Sequence, residues 1–243
     1  MPDIRRAIEF ITDDPRASTK IALGGLLLLA PIANVVVVGY QVEVTRAVAR
    51  AEPRPLPEWK DFSRLFVTGA WLSLANVVYI LPLLAGLLIG VLAGFAWLLQ
   101  AAQAAGPDQG PSIGPAIIVG GLCMLAVLMA YTLVFSFIHP AILTEYARLG
   151  AFAACFDFPA ILRVIQRDPG DYVLLWLSEL GIGLGFTFVA GAAGFVLSII
   201  PCVGSLATLV LSAVSGFLVL LVNAHLAGQL LRSGANSVSS KES

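Results

Sequence analysis

A few ionisable and polar side chains fall inside long apolar segments of this sequence, and they are the residues that could do chemistry. Glu179 is the one acid inside the apolar segment 172–200. An ionisable group within a membrane span is energetically unfavourable, so Glu179 is a candidate proton or cation site. The competing interpretation is a polar contact that fixes the register of two helices.

His225 is the predicted partner of Glu179. The turn 201–204 joins two apolar segments, so residues at equal distances from that turn lie level on the two helices. Glu179 then lies opposite residues 225–229. The sequence therefore predicts an ion pair or a hydrogen bond between Glu179 and His225.

A second polar group is formed by His139, Asn76 and Tyr79, which are predicted to meet near the inner ends of two further apolar segments. We expect no catalytic residue, cofactor or metal site, because the sequence has no HExxH, GxSxG, P-loop or dinucleotide motif. Two histidines and one embedded acid are too few for an intramembrane active site, so the protein is not expected to be an enzyme.

Composition places the chain in a membrane. Hydrophobic residues make up 58% and charged residues 12% of the chain, against about 45–50% and about 25% in soluble domains. The mean hydropathy of +0.91 indicates more apolar surface than a soluble fold of this size could bury. The formal net charge of −1 excludes the excess of cations that nucleic-acid binding requires. The cysteines show no CxxC spacing and are predicted to be small core residues, at Cys123, Cys155 and Cys202.

The cations are distributed asymmetrically along the chain. The connecting segments 101–114 and 201–204 contain no Lys or Arg. Cytoplasmic segments of membrane proteins carry an excess of Lys and Arg, so the asymmetry predicts a multi-pass protein of the plasma membrane with both termini in the cytoplasm. All 14 Lys and Arg residues lie in four stretches, 1–20, 41–64, 148–167 and 232–243.

The apolar segments predict an all-α fold, a polytopic transmembrane helical bundle with about four full spans, since each span needs about 20 apolar residues. Residues 1–231 are predicted to form a single integral membrane domain. Residues 232–243 are polar and are predicted to be a disordered cytoplasmic tail. The predicted crossings are 77–99, 115–138, 172–200 and 205–231.

The apolar segment 21–39 differs from these spans, because the turn-like group 31–34 interrupts it. Each arm has about 10 to 12 apolar residues, roughly 15–18 Å of helix, which reaches half-way through a bilayer core of about 30 Å. We favour a re-entrant or short-helix hairpin, and the alternative is a fifth crossing. Asp14 is predicted to cap the first arm, which would begin at Pro15.

Amphipathic helices are predicted on the cytoplasmic face, in the headgroup region, at 4–11, 58–66 and 156–167. The second carries three aromatic interfacial anchors on one face, Trp59, Phe62 and Phe66. The third has an apolar face with two cations beside it; the apolar residues are Phe156, Leu162 and Ile165, and the cations are Arg163 and Arg167.

A glycine repeat marks a predicted packing face. Gly86, Gly90 and Gly94 recur every four residues, and small residues at this spacing let another helix approach closely. The partner helix could belong to another membrane protein or to a second copy of this chain. Membrane lipids are the other expected partners.

Several short motifs, spread along the chain, carry a family resemblance. They include Asp14-Pro15, Leu56-Pro57-Glu58-Trp59, Asp61-Phe62, Tyr79-Ile80-Leu81-Pro82, Asp168-Pro169 and His225-Leu226-Ala227-Gly228-Gln229. With these motifs the sequence resembles the domain-of-unknown-function 4013 family of prokaryotic membrane proteins, over residues 8–231. The resemblance implies an integral membrane domain and carries no assigned activity.

Two hypotheses for the function follow. In the first, the protein is a non-enzymatic membrane module that binds lipid or a partner protein through its basic cytoplasmic face. In the second, it is a small-solute or ion transporter or channel in which Glu179 is the polar site.

Overall fold

The computed structural model describes residues 3–104, 113–197, 199–200 and 203–242. These residues form helices and no strand, which confirms the all-α prediction. Five of the described helices are long and apolar enough to cross a membrane. The helices are α1 (Ile4–Glu9), α2 (Ala17–Leu28), α3 (Pro31–Ala49), α4 (Phe62–Ala104), α5 (Ile113–Leu149), a 3-10 helix (Phe152–Phe156), α6 (Phe158–Arg167), α7 (Pro169–Leu197) and α8 (Val203–Glu242).

The chain divides into two compact units. The larger unit comprises Met1–Leu74 and Ile138–Ser243, and the smaller unit comprises Ala75–Phe137. In the larger unit, α2 and α3 pack against α8, and α7 packs along α8. Its main core is built from fully buried side chains on α3 and α8, among them Val37, Tyr40, Val44, Phe217, Leu221 and Ala224.

The helices α2 and α3 form the predicted hairpin, but its turn lies two residues earlier than the sequence indicates. The break falls at Leu29 and Ala30, where Ala30 has extended backbone angles (φ −102°, ψ 119°). Pro31 begins α3, because its fixed φ suits the first position of a helix and its missing N–H has no partner there in any case. The expected turn at 31–34 is therefore wrong, and these residues form the first turn of α3.

Contacts with α8 show how far the hairpin extends. Thr45 on α3 donates a hydrogen bond of 3.2 Å to the carbonyl oxygen of Ala224. Nearer the turn, a Cβ added at Gly25 on α2 would lie 2.9 Å from the side chain of Val214. Val203, the first residue of α8, lies about 16 Å beyond the level of Val214 at helical rise. The break at Leu29 and Ala30 lies four to five residues beyond Gly25, roughly 6–8 Å at helical rise, so the turn of the hairpin ends only about 10 Å short of the start of α8. Since α3 is itself long and apolar enough to cross a membrane, the choice of a re-entrant hairpin over a fifth crossing stays a prediction.

The helices α3 and α4 approach each other closely through two glycines. A Cβ added at Gly39 would lie 1.9 Å from the carbonyl oxygen of Leu65, and one added at Gly69 would lie 1.9 Å from that of Val35. The contact is between backbones, so neither side chain could rotate away from it. Only glycine permits this separation of the two helices.

The cation-bearing stretches gather at one end of the larger unit, which we call the basic end. The Asp3 N–H donates to Gln229 Oε1 at 2.7 Å, and Arg46 Nε donates to the carbonyl oxygen of Ala147 at 2.8 Å. These contacts join the segment before α1 to Gln229 of α8, and the end of α3 to the end of α5. The structure therefore brings together the cations that the sequence predicts on a single side.

The smaller unit exposes large apolar side chains, such as Leu88, Ile89 and Met129, as helices facing lipid would. Cys123 is also exposed, so its expected place in the core is wrong. In the larger unit, Cys155 is buried as predicted, and burial raises the pKa of its thiol to about 11. Cys202 and the external loop residues 105–112 lie outside the described residues.

Two of the predicted amphipathic helices begin later than expected. Trp59 and Lys60 form a turn, and α4 begins at Phe62. Phe156 belongs to the 3-10 helix, and Asp157 caps α6 by accepting a hydrogen bond of 3.0 Å from the Ala160 N–H. This start rotates the buried face of α6 relative to the prediction: Leu162 is 50% exposed, and the buried residues are Ala160, Ile161 and Val164.

At the other end of the chain, α8 is helical to Glu242, through the segment that the sequence predicts to be disordered.

Candidate functional site

The predicted pair of Glu179 with His225 is not formed. Thr208 Oγ1 donates to the carbonyl oxygen of Gly194 at 3.4 Å, and this register of α7 on α8 places Glu179 level with Asn223, about one helical turn from the predicted position. His225 Nδ1 instead lies 3.0 Å from Gln229 Nε2, and its ring packs 4.5 Å from that of Phe10. Within the described part of the chain, no hydrogen bond or ion pair joins Glu179 to His225.

The second polar group is divided between the two units. Asn76 and Tyr79 lie in the smaller unit, where the Tyr79 carbonyl oxygen accepts a hydrogen bond from the Tyr131 hydroxyl. His139 lies in the larger unit. The predicted meeting of these residues stays a prediction. Among the described side chains, the buried Oδ1 atoms of Asn76 and Asn223 have no hydrogen-bond partner.

The three predicted anchors separate into two environments. Trp59 packs inward: its ring stacks on Tyr40 at 4.1 Å with an interplanar angle of 14°, and its Nε1 donates to the Lys20 carbonyl oxygen at 3.3 Å. Phe62 and Phe66 are 43% and 41% exposed at the start of α4, where interfacial aromatics could contact headgroups. The structure thus places Trp59 with the core and leaves the two phenylalanines exposed.

Sequence reasoning missed a buried ion pair next to Trp59. Lys20 Nζ donates to Asp14 Oδ2 at 2.7 Å and to the carbonyl oxygen of Leu56 at 2.7 Å, and Glu58 Oε1 lies 3.4 Å away. The side chains of Lys20 and Asp14 are only 7% and 5% exposed. The one feature of the sequence that could have indicated this ion pair is Lys20 itself, a single lysine at the start of the apolar segment 21–39. The sequence predicts that Asp14 caps a helix beginning at Pro15, but α2 begins at Ala17.

This ion pair makes stability depend on pH. Burial opposes ionisation of Asp14, but hydrogen bonds from Lys20 and the Arg16 N–H outweigh it and lower the pKa of Asp14 below its ordinary value of 3.8. A group whose pKa is depressed by folding stabilises the folded state above its unfolded pKa, and this stabilisation is lost as pH falls through the folded pKa. We therefore expect the thermal unfolding midpoint in detergent to fall on acidification below about pH 4.

The variant Asp14→Asn isolates this contribution. Its unfolding midpoint should be lower than that of the wild type at pH 7 and should change less between pH 5 and pH 3, because the titrating carboxylate is absent. Parallel pH profiles for the two proteins would show that Asp14 has the same pKa when folded and unfolded.

A basic cavity lies at the basic end, between the ends of α3 and α5, residues 230–234 of α8 and one side of α6. We call it the arginine pocket; its volume is about 530 Å³. Its lining combines five arginines and one glutamate with apolar side chains. The charged residues are Arg50, Arg148, Arg163, Arg167, Arg232 and Glu145, and the apolar ones include Ala160, Val164, Leu230 and Leu231.

The charges in the arginine pocket are only partly compensated. Arg148 Nε donates to Glu145 Oε2 at 3.0 Å, and Arg50 Nε donates to Glu52 at 2.8 Å. Arg163 Nε donates to the Pro159 carbonyl oxygen of its own helix. Among the described residues, Arg163, Arg167 and Arg232 form no ion pair. Guanidinium groups bind phosphate and carboxylate oxygens through paired N–H donors, so this arrangement suits an anion.

The glycine repeat lies in the smaller unit, beside an apolar groove of about 1180 Å³ between α4 and α5. A Cβ added at Gly90 would lie 2.7 Å from the sulfur of Met124, whereas Gly86 and Gly94 face open space. The face is thus only partly covered within its own unit. Packing of a partner helix on this face stays a prediction.

The arginine pocket was not predicted as a site. Arg163 and Arg167 were recognised as cations beside an apolar face, but the convergence of four helices cannot be deduced from their positions in the sequence. No group of three or more His, Cys, Asp or Glu residues that could hold a metal ion occurs in the part of the chain that the structure describes.

Comparison with known proteins gives a match to one family. No curated protein and no solved structure matches the chain. One family model matches residues 22–195, which extend from α2 to α7. This match covers well over half of the 243 residues. The chain, with five helices long and apolar enough to cross a membrane, therefore belongs to the family described as Protein of unknown function (DUF4013).

Proposed function

We propose that this protein is a non-enzymatic membrane module that binds the phosphate headgroup of an anionic phospholipid in the arginine pocket. The observation that carries the proposal is the set of five arginines around apolar side chains, at the ends of membrane-type helices. In this proposal the basic end faces the cytoplasm, where anionic lipids attract cationic segments.

The chemistry of the arginine pocket supports a phospholipid over a fully water-soluble anion. The guanidinium groups of Arg163, Arg167 and Arg232, which form no ion pair with any described residue, can bind phosphate oxygens. Ala160, Val164 and neighbouring leucines can contact the glycerol and the first methylenes. A volume of about 530 Å³ lies within the usual range of about 300–1,000 Å³ for small-molecule sites. Basic pockets between helices at a membrane surface are suited to headgroups of this kind.

Charge reversal on α6 tests the proposal. The purified wild type, in a neutral detergent, should gain thermal stability on titration with phosphatidylglycerol, because a ligand that binds the folded state raises the unfolding midpoint. The double variant Arg163→Glu/Arg167→Glu should bind about 10- to 100-fold more weakly, since two charge-assisted contacts are lost. Inorganic phosphate at the same concentrations should give no shift.

The matched control is Arg5→Glu/Lys60→Glu, which changes the net charge equally at two exposed residues outside the arginine pocket. This control should retain the affinity of the wild type. An equal loss in both double variants would assign the effect to the general charge of the face, and an equal response to inorganic phosphate would indicate a free-anion site. Either result would overturn the proposal.

A further inference from the structure

We propose that the arginine pocket selects a phospholipid whose headgroup carries hydroxyl donors next to its phosphate, and that Glu145 makes the selection. This inference rests on the proposed function and adds the chemical class of the headgroup. The lining of the arginine pocket is unusual for an anion site, because a single carboxylate, that of Glu145, lies among five arginines.

Glu145 is fixed in the wall of the arginine pocket with one oxygen uncommitted. The residue is 5% exposed, and its Oε2 accepts hydrogen bonds from Nε and Nη2 of Arg148, three residues later on the same helix. Among the described residues, no donor contacts its Oε1. The neighbouring Thr144 hydroxyl donates to the Pro140 carbonyl oxygen at 2.7 Å. A hydrogen-bond acceptor therefore remains on Glu145, and a ligand can supply the donor.

The carboxylate of Glu145 disfavours a ligand that offers only negative charge and favours a ligand that also carries a hydrogen-bond donor. A phosphate oxygen placed beside Glu145 would face a like charge. Repulsive contacts that disfavour a competing ligand are a common source of specificity. A hydroxyl group on the headgroup would instead donate to Oε1 while the phosphate contacts the arginines. An ammonium donor would be repelled by the five guanidinium groups, which outnumber the single carboxylate.

A comparison of two lipids of equal charge tests the selection. Phosphatidylglycerol and phosphatidylmethanol carry the same single negative charge, but only the first has headgroup hydroxyls. In neutral phosphatidylcholine nanodiscs, the wild type should bind phosphatidylglycerol about tenfold more tightly, the difference expected for one hydrogen bond to a charged acceptor. Phosphatidylethanolamine, which offers an ammonium donor, should bind more weakly than either lipid.

The variant Glu145→Met assigns the preference to this residue. It removes the acceptor and its charge, so affinity for phosphatidylmethanol should rise and the ratio of the two affinities should fall to about one. The control Glu9→Met removes an exposed carboxylate that pairs with Arg5, and neither of these residues lines the arginine pocket. It should keep the tenfold ratio.

The outcomes separate this inference from the proposed function. Equal binding of phosphatidylglycerol and phosphatidylmethanol by the wild type, with loss of both in Arg163→Glu/Arg167→Glu, would overturn the hydroxyl selection and keep the lipid site. Failure of every anionic lipid to bind the wild type would overturn the proposed function itself. The wild-type comparison decides the question even if Glu145→Met does not fold.

Discussion

The substitution Lys20→Met is expected to reduce the free energy of unfolding by about 3–5 kcal/mol, because it leaves a buried carboxylate without its partner. Lys20 and Asp14 are almost completely buried, and their charged atoms are 2.7 Å apart. Loss of the lysine also removes the donor to the Leu56 carbonyl oxygen. Chemical unfolding in detergent micelles, followed by circular dichroism or tryptophan fluorescence, measures the change.

Two further variants distinguish the effect of breaking the ion pair from the effect of removing any lysine. Lys60→Met, at an exposed position in the same basic end, should change stability by no more than about 0.5 kcal/mol. Asp14→Leu/Lys20→Met should recover much of the loss, because replacing both partners of a buried pair by apolar groups is often close to neutral. A loss below about 1 kcal/mol in Lys20→Met would mean that the pair behaves as an exposed one.

The second large effect is expected at the crossing of α3 and α4. Gly39→Ala should destabilise the protein by about 1–3 kcal/mol or more, because the new methyl group would overlap the Leu65 carbonyl oxygen and force the helices apart. Gly69→Ala should have a similar effect from the opposite helix. The double variant Gly39→Ala/Gly69→Ala should lose less stability than the sum of the two single losses, since one separation of the helices relieves both overlaps.

Gly86→Ala is the matched control on α4. A Cβ at Gly86 meets no atom within 4 Å, and alanine has the higher helix propensity, so stability should stay equal or rise by up to about 1 kcal/mol. The same unfolding measurement applies to all of these variants. Equal stability of Gly39→Ala and the wild type would contradict the close backbone contact.

Features set by local composition could be predicted from the sequence. The apolar segments gave helices, and the clustering of Lys and Arg in four stretches matched their gathering at the basic end. Pro31 marked the hairpin correctly. Its position was read incorrectly, because proline interrupts a helix from within but also favours the first turn of a new one.

Features set by tertiary register could not be predicted. The level of Glu179 on α8 depends on how α7 packs, and an error of one helical turn was enough to choose the wrong partner. The burial of Lys20 depends on Leu56 and Glu58, which belong to a proline-rich connector far along the chain. The arginine pocket requires parts of α3, α5, α6 and α8 to converge, and periodicity within a single helix contains no information about that convergence.

The proposal that the arginine pocket holds an anionic phospholipid can be tested by native mass spectrometry. The wild type, extracted from its membrane in a mild detergent, should retain a bound species with the mass of an anionic phospholipid. Arg163→Glu/Arg167→Glu should lose this species, while Arg5→Glu/Lys60→Glu should keep it. A wild-type protein without bound lipid, or equal retention by Arg163→Glu/Arg167→Glu, would contradict the claim.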